Sequence, residues 1–398
     1  MKLAIIGGLG HVGLPLALAF CNVGCQVAAI DSDKERLSTV RAGRMPFIEI
    51  GAPLLLTRHL AERLTVFEAT EAITQVPLME ADAIIVTLGT PIDEYQNPRP
   101  GDFLERVRAL GKYCLEGKLL VLRSTVSPGT TERLAAMLKE DGITCDVAFC
   151  PERILQGHAI HELQTLPQIV SGVTPQACQR AAELFRKLEV EIVRVSVGAA
   201  EIAKLELNGW RYVSFAFANE CHRLCVALGI DYSEVERAMK TGYERAAALP
   251  SPGFAAGPCL LKDTMQLVAA SPHGFPLGLA AREVNERTPD TIVAILRSLH
   301  GPLEGATVGI LGMAFKADND DTRDSLSFKL VRLLEFAGAK VLCSDEHAEQ
   351  ERDWVTMEEL VEKSDAIVVA VPHRQYRGLK IPSGKVCVDV WRVTEAAT

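Results

Sequence analysis

The apolar residues of this chain fall in short runs that alternate with amphipathic stretches from the first residue onward. Residues 2–6, 26–30, 83–87, 119–122 and 147–150 are largely apolar, each flanked by glycine, charge or turn formers. Runs of about five such residues predict strands buried on both faces. Between them lie helix-forming segments such as 14–23, 34–42 and 130–139. Strand–helix alternation predicts a parallel sheet covered by helices on both sides.

Near residue 199 the pattern changes. Residues 200–228 contain no proline and one interior glycine, Gly209, and are apolar on more than one face. A helix of that length spans roughly 40 Å at the standard rise. Its several apolar faces predict cover by a second subunit or a neighbouring domain. After Gly305 the alternation resumes, with strands expected at 307–311, 340–344, 366–371 and 386–390 and a helix over 325–337.

The chain has 398 residues, 48% hydrophobic and 23% charged, an ordinary balance for packed domains that excludes a disordered or fibrous protein. A net charge of −9 offers no general attraction to nucleic acid or anionic lipid, so neither is expected as a partner. No run of apolar residues reaches membrane-spanning length. The opening Met1-Lys2-Leu3-Ala4-Ile5-Ile6 turns glycine-rich after four apolar residues, unlike a signal peptide. Eleven cysteines, an odd number with no CxxC pair, mostly sit in apolar runs and read as reduced core thiols of a cytoplasmic protein. Within Cys221-His222-x-x-Cys225, a helix turns His222 away from the cysteine pair, and no metal is expected there.

The first strand runs into Gly8-Leu9-Gly10-His11-Val12-Gly13 and then a helix. Gly8 suits a tight turn, Gly10 the approach of a pyrophosphate, and Gly13 close helix–strand packing. Asp31 ends the second strand, where a carboxylate accepts hydrogen bonds from ribose hydroxyls and repels a 2′-phosphate, so NAD is favoured over NADP. The expected fold class is therefore α/β, two Rossmann-like doubly wound domains joined by a long central helix. The expected domains are 1–198, 199–300 and 301–398.

Three further groups carry chemistry. Cys259 lies in a Gly/Pro-rich turn, Gly253 to Pro258, beside Lys262 and Asp263. Positive charge or a helix N-terminus there would favour its thiolate; read alone, it is equally a buried structural cysteine. Lys204 and Asn208 are four apart on one helix face and could donate to an oxyanion, or Lys204 could be solvated. Glu152 follows a strand's carboxyl end, where ligands gather in doubly wound sheets, though a plain ion pair with Arg153 fits as well.

Taken together and in order, the motifs resemble the nucleotide-sugar 6-dehydrogenases, the UDP-glucose, UDP-N-acetylhexosamine and GDP-mannose dehydrogenases. The resemblance covers nearly the whole chain. It runs from the opening glycine motif through Ser124-Thr125-Val126-Ser127-Pro128-Gly129-Thr130-Thr131 and Pro151-Glu152-Arg153. Then come Glu201-x-x-Lys204-Leu205-x-x-Asn208 with Asn219-Glu220, Cys259-x-x-Lys262-Asp263, and Phe315-Lys316 through Asp321-Thr322-Arg323-Asp324-Ser325.

That resemblance implies a four-electron oxidation of a sugar CH2OH to a carboxylate with two NAD in succession. It also implies an N-terminal NAD domain, a dimerising central helix, a C-terminal domain that binds the nucleotide diphosphate, and a homodimer. Cys259 becomes the nucleophile, with Lys204, Asn208, Asp263, Glu152 and Thr125 around it. Gly8, Gly10, His11, Val12, Gly13, Asp31, Thr90, Thr125 and Arg323 would face the cofactor. Glu152, Arg153, Lys204, Asn208, Phe254, Gly257, Lys316 and Arg392 would face a UDP-sugar.

The chain also departs from the family pattern. Ala255-Ala256-Gly257-Pro258 places one more residue before the cysteine than the usual GFGGSC or GVGGHC. Pro151-Glu152-Arg153 is similar to the UDP-N-acetylhexosamine branch, whereas Cys259-Leu260-Leu261-Lys262-Asp263 is similar to the UDP-glucose branch, so the two signatures disagree about the sugar. Two other functions compete: a two-electron NAD dehydrogenase, which needs no nucleophilic thiol, and a silent nucleotide-sugar-binding protein. NADH formed per sugar separates them.

Overall fold

The computed structural model describes residues 1–60, 62–69, 76–90, 93, 98–348 and 354–395, the side chains of Val76 and Tyr113 excepted. Its contacts divide the chain into two units, Met1–Leu207 and Asn208–Thr398. In the first unit, eight strands form one sheet in the order β3-β2-β1-β4-β5-β6-β7-β8. They are β1 (Lys2–Ile6), β2 (Gln26–Asp31), β3 (Leu64–Glu68), β4 (Ala83–Val86), β5 (Leu119–Leu122), β6 (Asp146–Phe149), β7 (Gln168–Gly172) and β8 (Ile192–Arg194). The second unit holds a four-stranded parallel sheet, order β10-β9-β11-β12, from β9 (Thr307–Leu311), β10 (Lys340–Ser344), β11 (Ala366–Val369) and β12 (Val386–Val388).

Every sequence-expected strand is present, with ends moved by at most two residues. β3, β7 and β8 were not expected. Thr65, Ser171 and Glu191 interrupt their apolar runs, and β8 has three residues, too few to show a period. The all-parallel expectation also needs correction, because β7 pairs antiparallel with β6, Ala148 opposite Gly172. β4, β5 and β11 are buried at every residue, which is why they lack alternation in the sequence. Two apolar clusters, one containing Leu14, Phe20 and Phe185 and the other Phe103, Leu134 and Phe149, pack the large sheet.

Five helices matter for function: α1 (Gly13–Asn22), α2 (Thr130–Glu140), α3 (Val197–Leu228), α4 (Leu260–Ala270) and α5 (Leu326–Phe336). The long helix expected from residue 200 begins three residues earlier. Its interior glycine has a packing reason. A Cβ on Gly209 would stand 2.8 Å from Leu267 Cδ1, so only glycine lets α4 approach this closely. α2 starts under Glu201, whose buried carboxylate accepts from the Gly129 and Thr131 N–H groups at 2.7 and 2.9 Å and from Thr131 Oγ1 at 2.6 Å. Among the described residues, no helix is long and apolar enough to cross a membrane.

Candidate active site

The glycine loop lies where the strand order of the large sheet reverses, between β1 and β4, the usual ligand crevice of such sheets. The turn itself is made by Gly7, at φ +78°, and not by Gly8 as the motif spacing suggests. Gly8 is needed for close approach instead, since a Cβ there would sit 2.7 Å from Ile5 O and 2.9 Å from Ala29 Cα. At Gly13 a Cβ would lie 2.2 Å from Gly7 O, so this glycine packs helix on strand as expected. Gly10 differs. A Cβ there would meet no described atom closer than 3.5 Å, so this glycine is not needed for packing among the described residues, as fits a position that a pyrophosphate approaches. Val12 caps α1 without a side-chain hydrogen bond.

Asp31 is fixed by the loop it serves. Its Oδ2 accepts from Leu9 N–H at 3.0 Å and its Oδ1 from Asp33 N–H at 3.1 Å. Further lone pairs on each oxygen can take ribose hydroxyls. These features fit NAD. Thr90 lies half-buried past the end of β4, and Thr125 half-buried past the end of β5. The His11 ring stacks on Phe47, centroids 4.1 Å apart, and meets Gln156 Nε2 at 2.9 Å.

The bland alternatives for Glu152 and Lys204 both fail. Lys204 Nζ is not solvated but donates to Glu152 Oε1 at 2.6 Å, with the two side chains only 7% and 13% exposed. Arg153 turns away from Glu152 and donates to the Pro167 carbonyl. Burial alone would raise the Glu152 carboxyl, but the Lys204 charge and hydrogen bond, then the charge of Arg123, hold it below its ordinary value.

A second constellation lies in the second unit. Of the eleven cysteines, all of them described, Cys259 alone is exposed. It is the N-cap residue of α4. One turn in, Asp263 is fully buried and accepts from Asn208 Nδ2 at 2.6 Å and Lys262 Nζ at 2.7 Å. An anion taken wholly out of water needs such partners. Lys204 and Asn208 thus sit one turn apart on α3, each held by a carboxylate.

The turn before Cys259 is clamped at both ends. Asn219 accepts from Gly253 N–H at 2.7 Å and donates to Gly253 O at 3.0 Å, and Asn285 in turn accepts from Asn219. At the other end Gly257, φ +95°, donates to Asp324 O at 3.2 Å, and a Cβ there would strike the Phe315 ring at 2.4 Å. Phe254 packs against the core of the small sheet.

Arg323 pairs with Asp321, Nη2 to Oδ2 2.5 Å, while its side chain remains 54% exposed. That hydrogen bond holds the guanidinium above its ordinary value against burial, with the Asp321 and Cys259 charges adding to it. Lys316 Nζ stands 6.0 Å from the Phe315 ring centroid. Arg392, at φ +52°, pairs with Asp231 instead of standing free for a phosphate.

Sequence reading missed Arg123, Glu201 and Asn219 as supports, and it missed Asp345. Asp345 follows β10 as Asp31 ends β2, and it accepts from Met313 and Ala314 N–H at 2.6 and 2.9 Å, much as Asp31 accepts from Leu9. That strand-end position was the available signal. Asp318, His347 and His373 bring ligand atoms within 4.8 Å of one another. Both ring nitrogens of His373 are already engaged, by Asp318 N–H and Asp345, so the group is poorly disposed to hold a metal.

Comparison with known proteins agrees with this geometry. Residues 1–189 match the NAD binding domain of the UDP-glucose/GDP-mannose dehydrogenase family, 198–287 its central domain and 309–396 its UDP binding domain. The UDP-N-acetyl-D-mannosamine dehydrogenase of Pyrococcus horikoshii is 30% identical over 397 residues, covering 95% of this chain and 91% of that protein. An NDP-N-acetyl-D-galactosaminuronic acid dehydrogenase of Ralstonia nicotianae is 29% identical, covering 94% and 91%. The structure of a UDP-glucose dehydrogenase from Pyrobaculum islandicum superposes with a TM-score of 0.89 at 28% identity, covering 98% and 94%. With the glycine cradle, Asp31 and all three domains in order, the chain belongs to the UDP-glucose/GDP-mannose dehydrogenase family and is an NAD-dependent nucleotide-sugar dehydrogenase.

Proposed function

We propose that the chain oxidises the C6 hydroxymethyl of a UDP-sugar to a carboxylate through a covalent intermediate on Cys259, and that the sugar is an N-acetylhexosamine of the mannosamine type. The observation that carries the reading is the placement of Cys259: an exposed thiol at a helix start, with the buried Asn208–Asp263 pair one turn behind it. A two-electron alcohol dehydrogenase has no use for such a thiol. The Pro151-Glu152-Arg153 signature and the activity for which the Pyrococcus relative is named support the N-acetylhexosamine. Domain roles follow: 1–198 for NAD, 199–300 for dimerisation, 301–398 for the nucleotide sugar.

Bound NAD supplies the electron acceptor, one hydride in each of two rounds. In the first round a water-linked base involving Asp263 takes the hydroxyl proton, and the Lys204 ammonium stabilises the developing alkoxide. The Cys259 thiolate then adds to the aldehyde carbon, and Lys204 and Asn208 hold the resulting oxyanion. One Asn208 N–H is engaged by Asp263, and the amide carries a second. The second oxidation leaves an acyl group on sulfur. Glu152 deprotonates a water that attacks this thioester, releasing the carboxylate and the thiol, with Thr125 ordering the site. Arg153, Phe254, Gly257 and Lys316 are assigned to the substrate, and Arg323 and Thr90 to the cofactor; Arg392, paired with Asp231, is left out of the substrate set.

UDP-N-acetylmannosamine, UDP-N-acetylglucosamine, UDP-glucose and GDP-mannose, each with NAD or NADP, test the reading by absorbance. The expected result is two NADH per molecule of UDP-N-acetylmannosamine, with a much lower kcat/KM for NADP because Asp31 faces the 2′-phosphate. One NADH per sugar would leave a simple alcohol dehydrogenase, and none a binding protein. Equal use of NADP would remove Asp31 from its role.

We further propose a homodimer formed along α3. Trp210, Phe217 and Leu224 recur every seven residues and are 57%, 53% and 60% exposed, and Leu228 continues the row at 63%. Ser214 and Cys221 fill the alternate positions, giving the 3–4 spacing of a helix-pairing seam. Each large side chain buried there contributes roughly 1.5–3 kcal/mol. Sedimentation at micromolar concentration is expected to show twice 43.2 kDa, and Phe217→Glu with Leu224→Glu to yield the single mass. A monomeric wild type would overturn the assignment.

A further inference from the structure

Among the described residues Arg123 is the largest fully enclosed side chain, 2% exposed one residue beyond β5. Its Nη1 donates to Cys150 O and to Gln168 Oε1, each at 3.0 Å. Gln168 Nε2 in turn donates to Pro151 O at 3.1 Å and Ile169 O at 2.7 Å. The carbonyls of both residues that precede Glu152 are therefore held by one latch. The guanidinium lies 5.2 Å from the Phe185 ring centroid, and its Nε has no hydrogen-bond partner among the described residues.

Two carbonyl contacts do not require a cation. A neutral amide could make them, and burying a guanidinium costs several kcal/mol unless its charge is used. Lys204 from α3 donates to the Glu152 carboxylate at 2.6 Å, and Arg123, bonded to the carbonyl of Cys150 two residues before Glu152, adds a second positive charge that lowers the pKa of that carboxyl. The Cys150 thiol next to Arg123 is pushed by burial up to about 12 and offers no competing anion, and Cys178 lies beside it. Burial lowers Arg123 to about 10, still a cation at neutral pH.

We propose that Arg123 is a positioning residue for Glu152: a fixed buried cation that holds the 150–152 segment and keeps the Glu152 carboxylate ionised while the Lys204 ammonium is drawn to the substrate oxyanion. This rests on Glu152 acting as the base of thioester hydrolysis. The two cations divide the work. Lys204 shares its charge with the reacting oxygen, and the moment it does so Glu152 loses its nearest partner. Arg123, enclosed and doubly bonded, stays in place throughout. Loss of its charge raises the Glu152 pKa, so the protonated and inactive form extends to higher pH.

The test uses the full chain with Arg123→Gln, Arg123→Met and Arg123→Lys. Infrared difference titration reads the Glu152 carboxyl, assigned by its loss in Glu152→Gln, and needs no substrate. The midpoint is expected to move to higher pH in the two neutral variants and to return in Arg123→Lys. With UDP-N-acetylmannosamine and NAD, the hydrolytic phase of Arg123→Gln is expected to fall roughly tenfold below neutral pH and to recover as pH rises, with the first NADH formed at the wild-type rate. An unmoved midpoint with only thermal stability lost, or a moved one that lysine fails to restore, overturns the proposal. Should neither neutral variant fold, Lys204→Met reads it from the other side: Glu152 stays ionised at neutral pH if Arg123 suffices, and its protonation there overturns the proposal. A wild type that forms no NADH from any UDP-sugar would refute the proposed function, while the infrared titration still decides the role of Arg123.

Discussion

Cys259→Ser is expected to abolish formation of the sugar carboxylate, with the rate falling by roughly 10³-fold or more, as when other covalent nucleophiles are removed. The physical reason lies in the second half of the reaction. A thiol yields a useful fraction of thiolate near neutrality, and a thiolate adds readily to an aldehyde, whereas a serine hydroxyl requires a base to do so. Even if an oxygen adduct formed and were oxidised, the resulting ester would hydrolyse more slowly than a thioester. The substitution is nearly isosteric at an exposed N-cap position, where serine is itself a good helix starter, so the fold and thermal stability are expected to hold. Product mass and NADH per sugar give the reading. Turnover at the wild-type rate with two NADH per sugar would refute a covalent mechanism.

The part of this chemistry that was legible in the sequence was the part carried by local pattern. β1, the glycine loop and Asp31 are consecutive along the chain, and each residue type answers a backbone or ribose requirement that spacing alone displays. The strands buried on both faces announced themselves as continuous apolar runs, as did α3 by its length. What stayed hidden depends on partners distant in sequence. Glu152 looked no more attached to Lys204, 52 residues away, than to its neighbour Arg153. Arg123, Gln168 and Cys150 meet only because β5, β6 and β7 are adjacent in the sheet, and the antiparallel β7 that supplies Gln168 carries no period of its own. Asn219 lies in the middle of a long helical run, and nothing there says that its amide grips Gly253. Gly7 and Gly8 show the finer limit: the spacing located the turn, but which glycine takes the positive φ and which one is crowded by Ala29 is decided by the packing of β1 on β2.

Glu152→Gln separates hydrolysis from the steps before it. The amide oxygen can still accept from Lys204, so the buried contact is kept in outline while its charge and basicity are lost. In the proposed mechanism both oxidations use Asp263, Lys204, Asn208 and Cys259 and not Glu152, so they are expected to proceed. The acyl group then has no base to activate its water, and hydrolysis slows by about 10²–10⁴-fold, the usual share of a general base. The expected observation is therefore an intact mass increased by the UDP-sugar acyl group, carried on the peptide that contains Cys259, together with a burst of two NADH per active site. Stability gives a second signature. Glu152 is held below its ordinary pKa in the folded chain, because the Lys204 contact and the Arg123 charge outweigh its burial. The stabilisation this contributes is complete above the unfolded carboxyl value and is lost as pH falls through the folded one. Wild type is thus expected to lose more stability than Glu152→Gln on acidification, so the gap between their melting temperatures narrows. A variant that unfolds at neutral pH would show no adduct and no burst. A well-folded variant that still releases carboxylate at the wild-type rate would assign the hydrolytic base to another residue.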